Sequence, residues 1–212
     1  MKNVRDLTGR FTERPHFEPS ELDVMCERVL LEHVQKRGAK IEYPVSTDLL
    51  LTLIEAHAAS LDLYADLSAD GVDVEGVTEF VRGKRPRVRI CAELAGDTRR
   101  EVRLRTTLAH EFGHVHLHDA LFQVHVDTPD LFGDKHTGAR QQRVQASSHQ
   151  DLARCKREMI VGAPKTDWME WQAGYVCGAL LMPRRQLRDL VHAGMRSAGQ
   201  LAELVSILKL RA

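Results

Sequence analysis

Two histidines and a glutamate stand in the order His-Glu-x-x-His within His110-Glu111-Phe112-Gly113-His114. An α-helix turns once every 3.6 residues, so positions i and i+4 stack on one face. Two imidazoles placed in this way can bind one tetrahedral zinc at about 2.0–2.1 Å. Glu111 lies beside His110 around the helix. That is a poor position for a third ligand, but within reach of a water on the metal. Zinc lowers the pKa of such a water to about 7, and a neighbouring carboxylate can accept its proton. The spacing therefore points to metal-assisted hydrolysis, with His110 and His114 as ligands and Glu111 as catalytic base. The bland alternative is a buried helix with two hydrogen-bonded histidines.

A catalytic zinc needs three protein ligands and one open position. Six residues beyond His114, where a third histidine would stand in one protease class, the chain has Ala120. His118, one turn after His114, reads as a hydrogen-bonded neighbour of the site, and His116 as a surface residue. His125, His136 and His149 read as solvated loop residues. Glu170 is the better candidate. It falls near the start of a second helix in Asp167-Trp168-Met169-Glu170-Trp171-Gln172-Ala173-Gly174. The small residues Ala173, Gly174, Cys177 and Gly178 on its face, and Gly113 in the first motif, would let two helices approach closely enough to share an ion. The alternative is a solvent-exposed glutamate favoured by the helix dipole.

The elements that must position these groups follow from periodicity. Residues 1–17 are polar and aperiodic and read as a flexible N-terminal arm; residues 18–212 read as one domain. Ser20 looks like an N-cap for an amphipathic helix over Glu21–Gln35, and Pro44 and Ser46 open a second helix to about Ala59. Val74, Val77 and Phe80, then Val88, Ile90 and Ala92, flank a turn at Gly83 and predict a β-hairpin. A helix over about Thr98–His116 carries the His-Glu-x-x-His run. Residues 119–165 read as a long connection of weak periodicity, and the polar run from Gln141 to Gln150 as a candidate mobile stretch. Asp167 caps a helix to about Met182, Pro183 separates it from Arg184–His192, and a last helix uses Leu201, Leu204, Val205 and Ile207. The expected class is α+β: mostly helical, with a small antiparallel sheet.

The two motifs together resemble a known family. His110-Glu111-Phe112-Gly113-His114 with His118, followed by Glu170-Trp171-Gln172-Ala173-Gly174 running to Leu180-Leu181-Met182-Pro183, is similar to the ImmA/IrrE metallopeptidases. Those pair HExxH…H with a downstream E-x-x-A-N/D-x-F-A-A-x-L-L-M-P helix. The resemblance covers roughly residues 45–190. It implies a zincin-like core, Zn2+ as cofactor, and Glu170 as third ligand. It also implies a regulatory protein as substrate, often a repressor with a Cro-like DNA-binding domain. The chain departs from the family pattern at Gly174, Val176 and Cys177-Gly178, and its segment 119–165 is longer.

Composition bounds the remaining readings. Aromatic residues are 5% of the chain, so the core must be mainly aliphatic. The formal net charge is zero, which gives no global field for nucleic acid. Direct nucleic-acid binding is therefore not expected, and no helix-turn-helix signature stands out. Acidic residues dominate Glu18–Glu75 and basic ones Arg82–Arg105. The Arg85–Cys91 strand could be a sheet edge beside the cleft, with Arg85, Arg87 and Arg89 favouring acidic peptide segments; the plainer reading is an edge guarded by charge. No signal peptide or membrane span is evident, and the four cysteines form no CxxC pair, so a cytoplasmic setting with reduced thiols is expected. Cys155, between Arg154 and Lys156, is a candidate regulatory thiol. Two functions remain: a zinc endopeptidase, and a non-catalytic, metal-stabilised regulator that displaces a repressor.

Overall fold

A computed structural model of the chain describes residues 1–71, 73–81, 83–122, 150–156 and 167–196, with the backbone alone for 150–156 and 193–196. The architecture is α+β, with helices packed around a small sheet. Strands β1 (Lys2–Arg5) and β2 (Glu13–His16) pair antiparallel as a separate two-stranded ribbon. Helix α1 (Pro19–Lys36) and helix α2 (Thr47–His57) precede β3 (Ser60–Ala65), β4 (Val74–Val81) and β5 (Arg87–Cys91). A short α3 (Ala92–Ala95) leads into the long α4 (Glu101–Phe122). Strand β6 (Gln150–Lys156), helix α5 (Trp168–Leu181) and helix α6 (Arg184–Arg196) complete the described part. Among the described residues, no helix is long and apolar enough to cross a membrane.

The main sheet has the order β3-β5-β4-β6. The expected hairpin is present: β4 and β5 run antiparallel, with Val77 opposite Arg89 and Thr78 opposite Val88. The expectation of an antiparallel sheet is corrected to a mixed one, because β3 pairs parallel to β5. As a result β5 is an interior strand and not an edge. Its arginines serve the chain itself: Arg89 pairs with Asp70 at 3.2 Å, and Arg85 donates to the Ala56 carbonyl.

The reading of residues 1–17 as a loose arm is also corrected. The buried Asp6 carboxylate organises the β1–β2 loop by accepting from the Thr8 and Phe11 backbone N–H groups, both at 3.0 Å, and from the Thr8 hydroxyl. Burial pushes its carboxyl up, but these donors outweigh burial and hold it below the usual range. Phe11 packs edge-on against Phe122 of α4 and Trp168 of α5. No apolar periodicity announces this ribbon, because its attachments are polar and aromatic contacts to distant elements.

The cap of α1 is Glu18 and not Ser20. Pro19 takes the first helical position, where its fixed φ suits the helix and its missing N–H costs nothing. Glu21 reaches back to the Glu18 backbone N–H at 2.9 Å, one half of a capping box. Ser46 caps α2 as expected, accepting from Leu49 N at 3.2 Å.

The core is aliphatic, as composition requires. Leu22 and Leu30 of α1, Leu50, Leu53 and Ile54 of α2, Val88 and Ile90 of β5, and Leu108 and Phe112 of α4 share one cluster with Val176 and Leu180 of α5. Each such side chain stabilises the fold by about 1.5–3 kcal/mol through burial. Leu104, Leu108 and Phe112 lie on the inner face of α4, whereas Val102 is exposed. The expected last helix over Leu201–Ile207, the run 141–149, the loop histidines His125, His136 and His149, and the Cys155 side chain lie outside the described residues.

Burial also decides thiol chemistry. It pushes the Cys26 thiol up to about 12, with help from Asp23 and Glu27, and the Cys177 thiol up to about 12 against a small opposing effect of Arg103. The thiolate is the reactive form, so at pH 8 only about one thiol in 10⁴ at either position is competent. Iodoacetamide at pH 8 is expected to modify both cysteines at least ~100-fold more slowly in the native chain than in urea. Peptide mapping by mass spectrometry checks this. Rapid native labelling of either residue would contradict the core described here.

Candidate metal centre

Helix α4 presents His110, Glu111 and His114 to the interior, all fully buried. Its beginning is anchored to the sheet: Arg100 bonds Glu75 of β4 at 2.7 Å, and Arg103 pairs with the other Glu75 oxygen. Helix α5 begins at the Asp167 cap, whose side chain accepts from the Glu170 backbone N–H. That places Glu170 in the first turn, facing α4.

The two helices meet where neither has bulk. A Cβ added to Gly113 would lie 2.8 Å from Ala173 Cα, 3.1 Å from Ala173 O and 3.2 Å from Val176 Cβ. The backbones are therefore in contact, and the glycine is required by the approach. Of the small residues expected at this seam, Ala173 makes the backbone contact and Cys177 sets its thiol against the Thr106 carbonyl of α4 at 3.4 Å, whereas a Cβ at Gly178 would meet nothing within 4 Å.

The approach brings three donors together. Glu170 Oε2 lies 3.1 Å from His110 Nε2, and Glu170 Oε1 lies 3.2 Å from His114 Nε2. The two Nε2 atoms are 3.1 Å apart. A tetrahedral ion with ligands at 2.0–2.1 Å requires neighbouring ligand atoms about 3.3 Å apart. The His110–His114 edge has nearly that length, and each imidazole has one Glu170 oxygen at a similar distance. With one ligand atom from each residue the three lie within 4.8 Å of one another, a buried cluster that can hold a metal ion. Its donor set, two imidazoles and one carboxylate, suits zinc and its first-row neighbours.

The electrostatics favour a cation at this point. Burial pushes the Glu170 carboxyl up, but the charges and hydrogen bonds of His114 and His110 reverse that, and it stays ionised well below the ordinary range. Burial opposes charge on His114, yet Glu170, then Glu111 and Asp167, raise its basicity above the ordinary value. At His110 burial wins and lowers it.

Around this triangle are residues that the sequence alone did not single out. Thr78 of β4 donates its hydroxyl to Glu111 Oε2 at 2.5 Å. Gly76, two residues earlier on the same face, leaves space for the same carboxylate: a Cβ there would sit 2.5 Å from Glu111 Oε1 and 2.9 Å from Thr107 Cγ2. A glycine inside a strand pattern often marks such a close approach, and that signal was legible. Gln172 of α5 carried none. Its Oε1 meets His118 Nε2 at 3.1 Å, and its Nε2 donates to the Pro15 carbonyl at 2.9 Å.

The other expected residues sort as follows. His118 is buried and hydrogen-bonded between His114 and Gln172, as its spacing suggested. His116 is partly buried, stacked on Phe112 and edge-on to His57, and so is not a surface residue. Trp168 is buried and packs edge-on against His118, while Trp171 lies at the margin beside Tyr175.

Comparison with protein-family models, with curated proteins and with solved structures returns no match to this chain.

The Gly113–Ala173 contact makes a direct prediction. Gly113→Ala adds a methyl against backbone that cannot rotate away. Overpacking of this kind costs about 1–3 kcal/mol, more than the ~1 kcal/mol that alanine returns in helix propensity. Lower thermal stability and weaker metal retention in a chelator titration are the expected results. A variant matching the parent in both would mean that the helices do not touch here.

Proposed function

We propose that this chain is a zinc-dependent endopeptidase of the ImmA/IrrE kind with a zincin-like core, acting on a regulatory protein in the cytoplasm. The observation that carries the reading is the buried triangle of His110 Nε2, His114 Nε2 and a Glu170 oxygen, with Glu111 on the adjoining face of the same helix. The motifs His110–His114 and Glu170–Pro183 support it independently, through the family resemblance that they carry.

His110, His114 and Glu170 would hold the ion, and Glu111 is left free of that duty. Bound zinc supplies Lewis acidity, polarising a carbonyl and lowering the pKa of water to about 7. Glu111 is the base: its carboxylate takes the proton of the attacking water and returns it to the leaving amine. Thr78 holds one Glu111 oxygen, fixing the direction of the carboxylate. Trp168, buried beside His118, keeps bulk water from that side of the ligands. The substrate proposed is a repressor with a Cro-like DNA-binding domain. This comes from the resemblance, as does the choice of zinc over other divalent ions.

Two variants separate binding from chemistry. The purified chain is expected to hold one zinc by elemental analysis, and Glu170→Ala to lose most of it. Glu111→Gln is expected to keep the zinc while peptide hydrolysis falls by at least ~100-fold. A Glu111→Gln chain that keeps zinc and relieves repression as fully as the parent would turn the reading into a binding regulator. A metal-free parent chain would remove the peptidase reading altogether.

A further inference from the structure

We propose that Gln172 is a positioning residue for the metal centre: acting through His118, it sets which nitrogen of His114 carries the proton, and the Pro15 carbonyl of the N-terminal ribbon sets the sense of the whole chain of bonds. The proposal rests on the reading of His114 as a ligand and deepens it.

The argument begins at the end furthest from the site. A proline carbonyl can only accept, so the Gln172 group 2.9 Å from Pro15 O must be the amide nitrogen. That fixes the flip of the amide and leaves Oε1 facing His118 Nε2 at 3.1 Å. An amide oxygen also only accepts, so His118 Nε2 carries a hydrogen. A neutral imidazole has one N–H, and His118 Nδ1 is therefore a bare acceptor. It lies 3.1 Å from His114 Nδ1, which must donate. A His114 proton is thus held on Nδ1, so that in the neutral ring, the form that can ligate, the Nε2 lone pair faces His110 and Glu170.

The direction matters because the site alone prefers the opposite. Glu170 Oε1 lies 3.2 Å from His114 Nε2, and without an ion it would draw the proton onto Nε2. A proton there blocks the ligand atom. The Pro15–Gln172–His118 chain opposes that tautomer from the other side of the ring: with the proton on Nε2, two bare Nδ1 atoms would face each other. Gln172 is 1% exposed, and His118 and His114 are fully buried, so bulk water does not substitute for a missing link. His110 is not held in this way; among the described residues its Nδ1 has no hydrogen-bond partner. The two ligands therefore differ: one is pre-set by the fold and the other is free to adjust.

The test uses the full chain and two substitutions at one position. Gln172→Leu removes both polar groups. Gln172→Glu, as the neutral acid that burial favours, keeps both an acceptor for His118 Nε2–H and a donor for the Pro15 carbonyl. Zinc affinity is measured by competition with a chromophoric chelator, and the imidazole tautomers of the metal-free chain by nitrogen-15 NMR. Loss of an outer partner of a ligand typically costs 10–100-fold in metal affinity. Gln172→Leu is expected to lose zinc affinity by ~10–100-fold and to move the His114 proton toward Nε2. Gln172→Glu is expected to retain parental tautomers and an affinity within about threefold of the parent. The proposal fails if Gln172→Leu, folded by its melting curve, keeps parental affinity and tautomers. It fails equally if Gln172→Glu loses as much as Gln172→Leu, since an acceptor for His118 Nε2–H would then not be what the site requires. A parent chain that binds no zinc would instead overturn the metal reading, and this proposal with it.

Discussion

The backbone contact between Gly113 and Ala173 is the constraint on which the rest of the site depends. A carboxylate in the first turn of one helix can reach two imidazoles on another only if the helix axes come unusually close, and at this seam a single methyl would already collide. The surrounding architecture can be read as support for that approach. The aliphatic cluster pulls Leu108 and Phe112 of α4 and Val176 and Leu180 of α5 into one core. Arg100, the residue before α4, and Arg103 in its first turn both pair with Glu75 and tie the start of α4 to β4. The Asp167 cap fixes where α5 begins. Without the close approach, Glu170 would be a buried carboxylate far from its counter-charges, at a cost of several kcal/mol.

The site was legible where its information is local. His110 and His114 are one turn apart, so their shared face follows from helix geometry alone, and Asp167 advertises its helix by residue type. Glu170 was legible through the small residues beside it and through the family resemblance, since no local rule links it to residues so far away in the chain. Gly76 and Thr78 lay in a strand that was recognised, but their aim at Glu111 depends on which face of β4 α4 covers. That is a tertiary fact. Gln172 looks like any polar helical residue until Pro15 is seen opposite it.

The fold shows the same division. Helices α1 and α2 were readable from their apolar periods, whereas α4 and α5, buried on several sides, have little one-sided apolar character and were read from the His-Glu-x-x-His run and the Asp167 cap. Strand β3 alternates Leu61, Leu63 and Ala65 with Asp62 and Tyr64, but it begins immediately after α2 and was absorbed into the stretch following that helix. Its omission made β5 look like an edge, and its arginines look like a docking surface. The N-terminal ribbon was unreadable for a different reason. It has no apolar face of its own, and what holds it in place is Asp6 folding its loop, Phe11 lodged between Phe122 and Trp168, and one carbonyl bonded to Gln172.

Strand β4 is the part of the sheet that touches Glu111, and it has a neighbour on each side, β5 and β6. The ladder with β6 extends from Val74 opposite Lys156 to Val81 opposite Gln150. An extended backbone that seeks strand-like pairing along β4, beside Glu111, therefore finds both sides already taken by the chain itself. The outer margin of β6 lies one strand spacing, about 4.8 Å, further away. Alignment directly along β4 requires Gln150–Lys156 to unzip first, so admission to the sheet and rearrangement of the 150–156 segment become one event.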